Sequence, residues 1–274
     1  MPEWIAVLPC LCVELWLVRD VPAWLVGMVV VAGLPALTLA LDMLVHRRLS
    51  HRRLRRHNEV TGVIVATVGV AYAIVIGLCV VSMWEGYKDA QDTVRNEAIA
   101  LTPMVAGSAV FGADTQRSIT AEIVRYEQDI VDGWKDHRGA GADSRRIAQL
   151  DRLTRVVGAL QPQTEPQRAF VQDALRTVGH AEQLRQQAKA EADDRQMSPV
   201  MWIGVLAATT GLLALCPFFG LEDNVVRRIL LGLAAAVIAT NLYLVVELNF
   251  PYYGSFAVDP DAYRTVIENL RPGP

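Results

Sequence analysis

A run of 25 residues without a charged side chain, residues 60–84, limits what this chain can fold into. About 20 such residues cross the hydrocarbon core of a bilayer as a helix, and the run contains no proline. From Glu85 onward the sequence becomes charged, yet it keeps a helical composition as far as Leu101. We therefore predict one long helix over residues 58–101 that crosses a membrane and continues into water.

Three further apolar runs predict three more spans, at residues 22–45, 200–219 and 229–246. Residues 2–18 are also apolar, but Glu3, Pro9 and Glu14 interrupt them. This N-terminal stretch predicts a short interfacial helix, because it lacks the basic start and small-residue site of a cleaved secretory signal.

The polar centre of the chain predicts helices that face water. Apolar residues recur at intervals of three and four in residues 115–137, 144–160 and 164–195, whereas glycine and proline indicate a turn region over residues 103–114. Glu127 and the acidic residues from Asp129 to Asp136 indicate a solvated face, with a divalent-cation site as the alternative.

The predicted fold class is therefore an all-α membrane protein with four transmembrane helices and a helical extramembrane bundle between the second and third. Five segments follow from this prediction. They are residues 1–57 with the first span and an arginine-rich loop, 58–86 with the second span, 87–197 with the extramembrane helices, 198–250 with the third and fourth spans, and a C-terminal tail with a short helix at 251–274.

Arginines between the first two spans predict the orientation in the cell membrane. Six of them lie in the loop HRRLSHRRLRRH, at Arg47, Arg48, Arg52, Arg53, Arg55 and Arg56. Short loops rich in arginine face the cytoplasm and bind anionic head groups, so we interpret these six as a membrane-surface anchor. A site for a specific lipid is the alternative. Arg227 and Arg228 lie in the predicted link between spans three and four, on the same side, so the central helices are predicted to be extracytoplasmic.

The sequence contains no recognisable catalytic motif. It has no Ser-His-Asp set, H-E-x-x-H motif, phosphate-binding loop or metal-ligand spacing of cysteine and histidine. The basic residues form no broad face for nucleic acid. We therefore predict neither enzyme activity, cofactor nor metal site, and we expect the bilayer, copies of the same chain and inorganic ions as partners.

Several motifs resemble the bestrophin-like domain family of uncharacterised bacterial membrane proteins. The resemblance covers residues 45–270, and it includes HNEVTG at residues 57–62, NEA at residues 96–98 and the close NFPYYGSFAVDPDAY at residues 249–263. The residues that carry it are Asn58, Gly62, Trp84, Glu85, Tyr87, Glu97 and Pro251. Asn249 departs from the family, in which an acidic residue is usual at this position.

What the resemblance implies is a four-span order shared with bestrophins, which are pentameric anion channels. The central region of bestrophins is cytosolic, which disagrees with the orientation predicted from the arginines. We give precedence to the arginines because they are present in this chain.

Two functions are consistent with these patterns. In the first, the chain forms an oligomeric ion channel: Gly69, Ala73 and Gly77, four residues apart, shape the pore, and Glu85, Glu247 and Asn249 lie at its mouth. Close helix packing is the alternative for the small residues, and structural pairing is the alternative for the acids. In the second, the chain is a membrane-anchored assembly or envelope-sensing protein that conducts no ions.

Overall fold

The structure of this protein is a computed structural model that describes residues 21–48, 58–134, 140–193, 196–218, 223–253 and 256–271. All regular structure in these ranges is helical, which confirms the predicted all-α class. The α-helices are α1 (Ala23–Arg48), α2 (Asn58–Ala100), α3 (Thr102–Gly107), α4 (Ala113–Asp132), α5 (Ala140–Gly158), α6 (Glu165–Asp193), α7 (Pro199–Leu215), α8 (Asn224–Leu248) and α9 (Asp261–Leu270), with 3₁₀ turns at Ser108–Phe111 and Cys216–Phe218.

Helices α1, α2, α7 and α8 are long and apolar enough to cross a membrane, as the hydropathy pattern predicts. The start of α8 differs from the prediction, because the helix begins at Asn224 and includes Arg227 and Arg228. Placing these arginines in a link was wrong. The Asp223 side chain starts the helix earlier by accepting hydrogen bonds from the backbone N–H of Val225 and Val226.

Two sequence predictions lie outside the described residues. These are the interfacial helix at residues 2–18 and the part of the anchor formed by Arg52, Arg53, Arg55 and Arg56. The other two anchor residues, Arg47 and Arg48, end α1 with exposed side chains.

The chain divides into two compact units, which we call the membrane unit (Met1–Tyr87 and Asp194–Ala257) and the central unit (Lys88–Asp193 and Val258–Pro274). Helix α2 contributes its first part to the membrane unit and its last part to the central unit.

The core of the membrane unit lies between α2, α7 and α8. One ridge of α2 is buried there, formed by Tyr72, Ile76, Cys79 and Met83 at intervals of three and four. The residues of α7 and α8 that pack against this ridge are Trp202, Val205, Leu212, Ile238, Leu242, Val245 and Leu248. The Thr209 hydroxyl donates a hydrogen bond to the Tyr72 oxygen within this apolar core, at 3.2 Å.

Helix α1 packs against α8. The Tyr243 ring of α8 lies over Gly27, where an added Cβ would approach the ring to 3.2 Å, and the Tyr243 hydroxyl donates to the Ala23 carbonyl. The glycine therefore permits the close approach of the two helices.

The central unit has its own core, built from the apolar stripes that the sequence predicts. Helix α4 buries Ile119, Ile123, Tyr126 and Ile130, and it packs against α5, α9 and the 3₁₀ turn Ser108–Phe111. The described buried apolar residues that α5 and α6 contribute are Leu150, Leu153, Val157, Phe170, Ala174, Val178, Ala181 and Ala188.

The predicted turn region at residues 103–114 is wrong in most of its length. It contains α3 and a 3₁₀ turn, since Pro103 lies in the first turn of α3, where proline is tolerated. The chain breaks only at Gly112, whose φ of 93° suits glycine and precedes α4. Helix α4 then ends at Asp132, whereas the sequence predicted a helix as far as His137; residues 135–139 lie outside the described part of the chain.

Candidate functional site

The small-residue stripe of α2 lies on a face that contacts little of its own chain. Gly69 is half-buried, whereas Ala73 and Gly77 are exposed, and a Cβ added at either glycine would meet no atom within 4 Å. Close packing inside one subunit therefore does not require these glycines. Beside the stripe lies an apolar groove of about 470 Å³, which Gly69 and Ala73 line from α2 and Leu233 and Val237 line from α8.

Larger apolar side chains continue the open face of α2. They lie beside the stripe on the helix surface and are exposed at Val63, Val70, Ile74, Leu78 and Val81. Glu85 follows them, also exposed, and near it the rings of Trp84 and Tyr87 stack with their centroids 5.6 Å apart.

Glu247 and Asn249, which the sequence places with Glu85 at a pore mouth, are buried inside the membrane unit. The Asn249 side-chain oxygen accepts a hydrogen bond from the Met197 N–H at 2.9 Å, and its carbonyl accepts one from the Gln196 N–H at 3.3 Å. Asn249 therefore holds the segment that leads into α7. A carboxylate oxygen at this position could accept the same bond from the Met197 N–H, so asparagine and an acid are equivalent for this contact. Glu247 interacts with the Tyr243 hydroxyl.

A buried ion pair joins the first and fourth spans. Arg227 of α8 contacts Asp42 of α1 through two parallel hydrogen bonds, from Nε at 3.1 Å and from Nη2 at 3.2 Å. Asp42 is 0% exposed and Arg227 is 1% exposed. The His46 Nδ1 lies 3.1 Å from the same carboxylate. The bidentate geometry and the burial make this pair a fixed link between two spans.

Three other family-motif residues lie in or next to the membrane-spanning helices. Gly62 is half-buried on α2, Pro251 is buried just after α8, and Asn58 begins α2. Glu97, by contrast, belongs to a buried polar cluster in the central unit.

This buried polar cluster consists of Glu97, Tyr126, Glu127, Arg185 and Tyr263. The Tyr126 hydroxyl donates a hydrogen bond to Glu97 Oε1 at 3.0 Å, and Arg185 Nη1 lies 3.6 Å from Glu97 Oε2. Both glutamates and Tyr263 are 0% exposed. Burial raises the pKa of Tyr126 and of Tyr263 well above the usual value, and the charge of Glu97 adds to the effect.

The position of Glu127 corrects the predicted solvated face. Burial, with the charge of Glu97 as a second cause, raises the pKa of Glu127 to about 9. The sequence does contain a signal for this burial, since Glu127 stands four residues after Ile123 on the apolar stripe of α4. Asp129, in the same predicted face, accepts a hydrogen bond from the Gln149 amide of α5.

Tyr263 connects the cluster to the C-terminal segment. Its ring lies 5.6 Å from that of Trp134, and the Trp134 indole N–H donates to the Val258 carbonyl at 3.0 Å. Within the described ranges, no group of three or more histidine, cysteine or acidic residues is arranged to hold a metal ion.

Solved structures of bacterial bestrophin homologues are similar to this fold. A variant of the homologue from Klebsiella pneumoniae has a TM-score of 0.68 and 11% identity over 88% of this chain and 98% of that chain. Another structure of a Klebsiella pneumoniae homologue, phased on zinc, has a TM-score of 0.65 and 15% identity over 88% and 97%. At these identities the similarity shows a shared fold.

The sequence places the chain within a family. The bestrophin-like domain matches residues 32–263, so this protein belongs to the bestrophin-like family, as its motifs predict. No curated protein matches the chain in sequence.

Proposed function

We propose that this protein is one subunit of an oligomeric ion channel in the cell membrane, with a pore shaped by the open face of α2. The observation that carries the proposal is that the most apolar span leaves most of its surface uncovered by its own chain. Membership of the bestrophin-like family supports it, because bestrophins are ion channels.

The small-residue stripe favours contact with other subunits or a pore over exposure to lipid. Gly69, Ala73 and Gly77 offer little side-chain surface to lipid, whereas small residues let neighbouring helix backbones approach closely or leave room for ions. No contact inside the subunit requires the two glycines. In an oligomer, they would let the helices of neighbouring subunits approach closely or leave room for the pore.

Glu85 is the best candidate for a charged ring at the mouth of the pore. It is the first charged residue after the 25 uncharged positions, and its side chain is exposed. Repeated by symmetry around an oligomer, it would place several carboxylates near the path of an ion. Glu247 and Asn249 would act on such a mouth indirectly, because both side chains are buried.

For the orientation, we propose that the arginine-rich loop faces the cytoplasm. Arg47, Arg48 and Arg228 have exposed side chains that can bind anionic head groups. Arg227 is not one of the arginines that can bind head groups, because it is paired with Asp42. Labelling of a cysteine introduced at an exposed position of the central unit, such as Gln172, would test the extracytoplasmic placement in sealed cells and in inverted vesicles.

Flux measurements on purified protein in liposomes test the channel. Wild type is expected to conduct, and Glu85→Gln is expected to change selectivity, whereas Glu165→Gln, which alters an exposed acid of the central unit, is expected to leave it unchanged. Gly77→Leu is expected to reduce the conductance if the stripe shapes the pore. Gly204→Leu is its control, because a Cβ at that exposed α7 glycine also meets nothing within 4 Å.

The second candidate is a non-conducting assembly or sensing role, which the separate core of the central unit favours. Folded, oligomeric protein that conducts no ion across a range of voltages would support this role. Loss of phenotype on deletion of the central unit would then be expected.

A further inference from the structure

Glu127 is a buried acid for which the described residues provide no hydrogen-bond partner. Its side chain is fully buried in the central unit, and neither carboxyl oxygen has a partner within hydrogen-bond distance there. A buried carboxylate that lacks a partner is strongly disfavoured relative to the neutral acid. The geometry is therefore compatible with a protonated carboxyl group and not with a carboxylate.

The neighbouring groups do not compensate a negative charge on Glu127. Arg185 brings a positive charge to the cluster from α6, but it lies 3.6 Å from Glu97, a second carboxyl group. Glu97 also accepts the hydrogen bond from Tyr126. The ion pair of Arg185 is thus with Glu97, and Glu97 places a second acidic group in the cluster beside Glu127.

The other elements packed against α4 do not supply a cation either, within the part of the chain that the structure describes. Helix α9 contributes the neutral phenol of Tyr263, and α3 with its following 3₁₀ turn contains no titratable residue. The described side chains that α5 buries toward α4 include Leu150, Leu153 and Val157, and its Gln149 binds Asp129. Among the charged residues of α5 whose side chains the structure describes, Asp151, Arg152 and Arg155 are all exposed.

We propose that Glu127 is a proton-binding site whose proton is retained only while the central unit is closed, so that opening of this unit releases a proton. Opening exposes the carboxyl group to water, where it ionises as an ordinary glutamate does. The step is a simple dissociation: the O–H bond of Glu127 breaks, the electron pair stays on the carboxylate and the proton goes to water. This inference does not depend on ion conduction.

The size of the coupling follows from the two protonation equilibria. The pKa of Glu127 is about 9 in the closed unit, because of its burial and of the charge of Glu97, against 4.5 for an ordinary glutamate. Between these values the closed form holds one proton more than the open form. The equilibrium constant for opening therefore rises tenfold for each pH unit, or about 100-fold between about pH 6 and pH 8.

Hydrogen exchange of the full-length protein, followed by mass spectrometry, tests this coupling. Amide protection in the peptides that cover α4 is measured at several pH values and corrected for the intrinsic pH dependence of exchange. Wild type is expected to lose about 100-fold in protection between about pH 6 and pH 8. Glu127→Gln, which is neutral at every pH, is expected to show no such loss, and Glu165→Gln is expected to behave as wild type.

Infrared spectroscopy gives a second readout that does not require the variant to fold. Wild-type protein near neutral pH is expected to show the carbonyl stretch of a buried protonated carboxylic acid, and this band should disappear above about pH 9. The proposal is overturned if the band is absent at neutral pH, or if the wild-type protection shows no excess dependence on pH. A dependence that persists unchanged in Glu127→Gln also overturns it.

Discussion

Replacing Asp42 by asparagine would leave the Arg227 guanidinium buried between α1 and α8 without its carboxylate. The amide oxygen can still accept one hydrogen bond, but it carries no charge to balance the cation. Removing one partner of a buried ion pair typically costs about 3–5 kcal/mol, whereas an exposed pair contributes about 0–1 kcal/mol. Since both side chains are almost fully buried, we expect Asp42→Asn to fall in the first range.

The matched control is an ion pair at the surface of the same protein. Arg117 and Asp114 pair within α4, and their side chains are 78% and 95% exposed. We expect Asp114→Asn to change the free energy of unfolding by less than about 1 kcal/mol. The double variant Asp42→Leu with Arg227→Met buries no charge, so it should recover much of the loss that either single variant causes.

Equilibrium unfolding in mixed detergent micelles, followed by circular dichroism, measures these differences. A double-mutant cycle then gives the coupling energy of the pair, which we expect to exceed about 2 kcal/mol. The reasoning is refuted if Asp42→Asn destabilises the protein no more than Asp114→Asn does. It is also refuted if the two single-variant losses simply add in the double variant.

Three further substitutions test the packing. Asn249→Leu removes the acceptor of the buried Met197 N–H, so we expect a loss of about 1–3 kcal/mol in thermal unfolding; a loss within error of zero would contradict the anchoring role. Gly107→Ala would place a Cβ at 2.9 Å from the Phe170 ring, and we expect the overpacking to cost about 1–3 kcal/mol. Gly179→Ala, where a Cβ meets no atom within 4 Å, should instead stabilise its helix by about 0.5–1 kcal/mol, and equal effects of both substitutions would contradict this account.

The helices were predictable because their signals are local in sequence. The uncharged run of residues 60–84 is sufficient for a span, and the intervals from Ile119 to Ile130 are sufficient for a water-facing helix with one buried face. The prediction of a turn region at residues 103–114 was wrong because proline, which breaks a helix in its interior, is tolerated in the first turn.

The polar links were not predictable, because each joins residues far apart in the chain. Nothing near Asp42 in the sequence indicates that its partner is Arg227 rather than the adjacent arginine-rich loop. The same is true of Glu97 and Arg185. Such pairs depend on how helices meet in three dimensions, which hydropathy and spacing do not specify.

Among the candidate pore residues, the sequence could not separate exposed acids from buried ones. Glu85 and Glu247 both stand at the end of an apolar span. Only the three-dimensional packing distinguishes them, because it buries Glu247 in the membrane unit and leaves Glu85 exposed.

Single-channel recording from the reconstituted oligomer tests the central claim most directly. We expect discrete conductance steps from the wild type in a salt gradient, and a shifted reversal potential in Glu85→Gln but not in Glu165→Gln. The absence of conductance for several ions and at several voltages, from protein shown to be folded and oligomeric, would contradict the proposal of a channel. A conductance whose reversal potential is the same in all three proteins would contradict the role of Glu85.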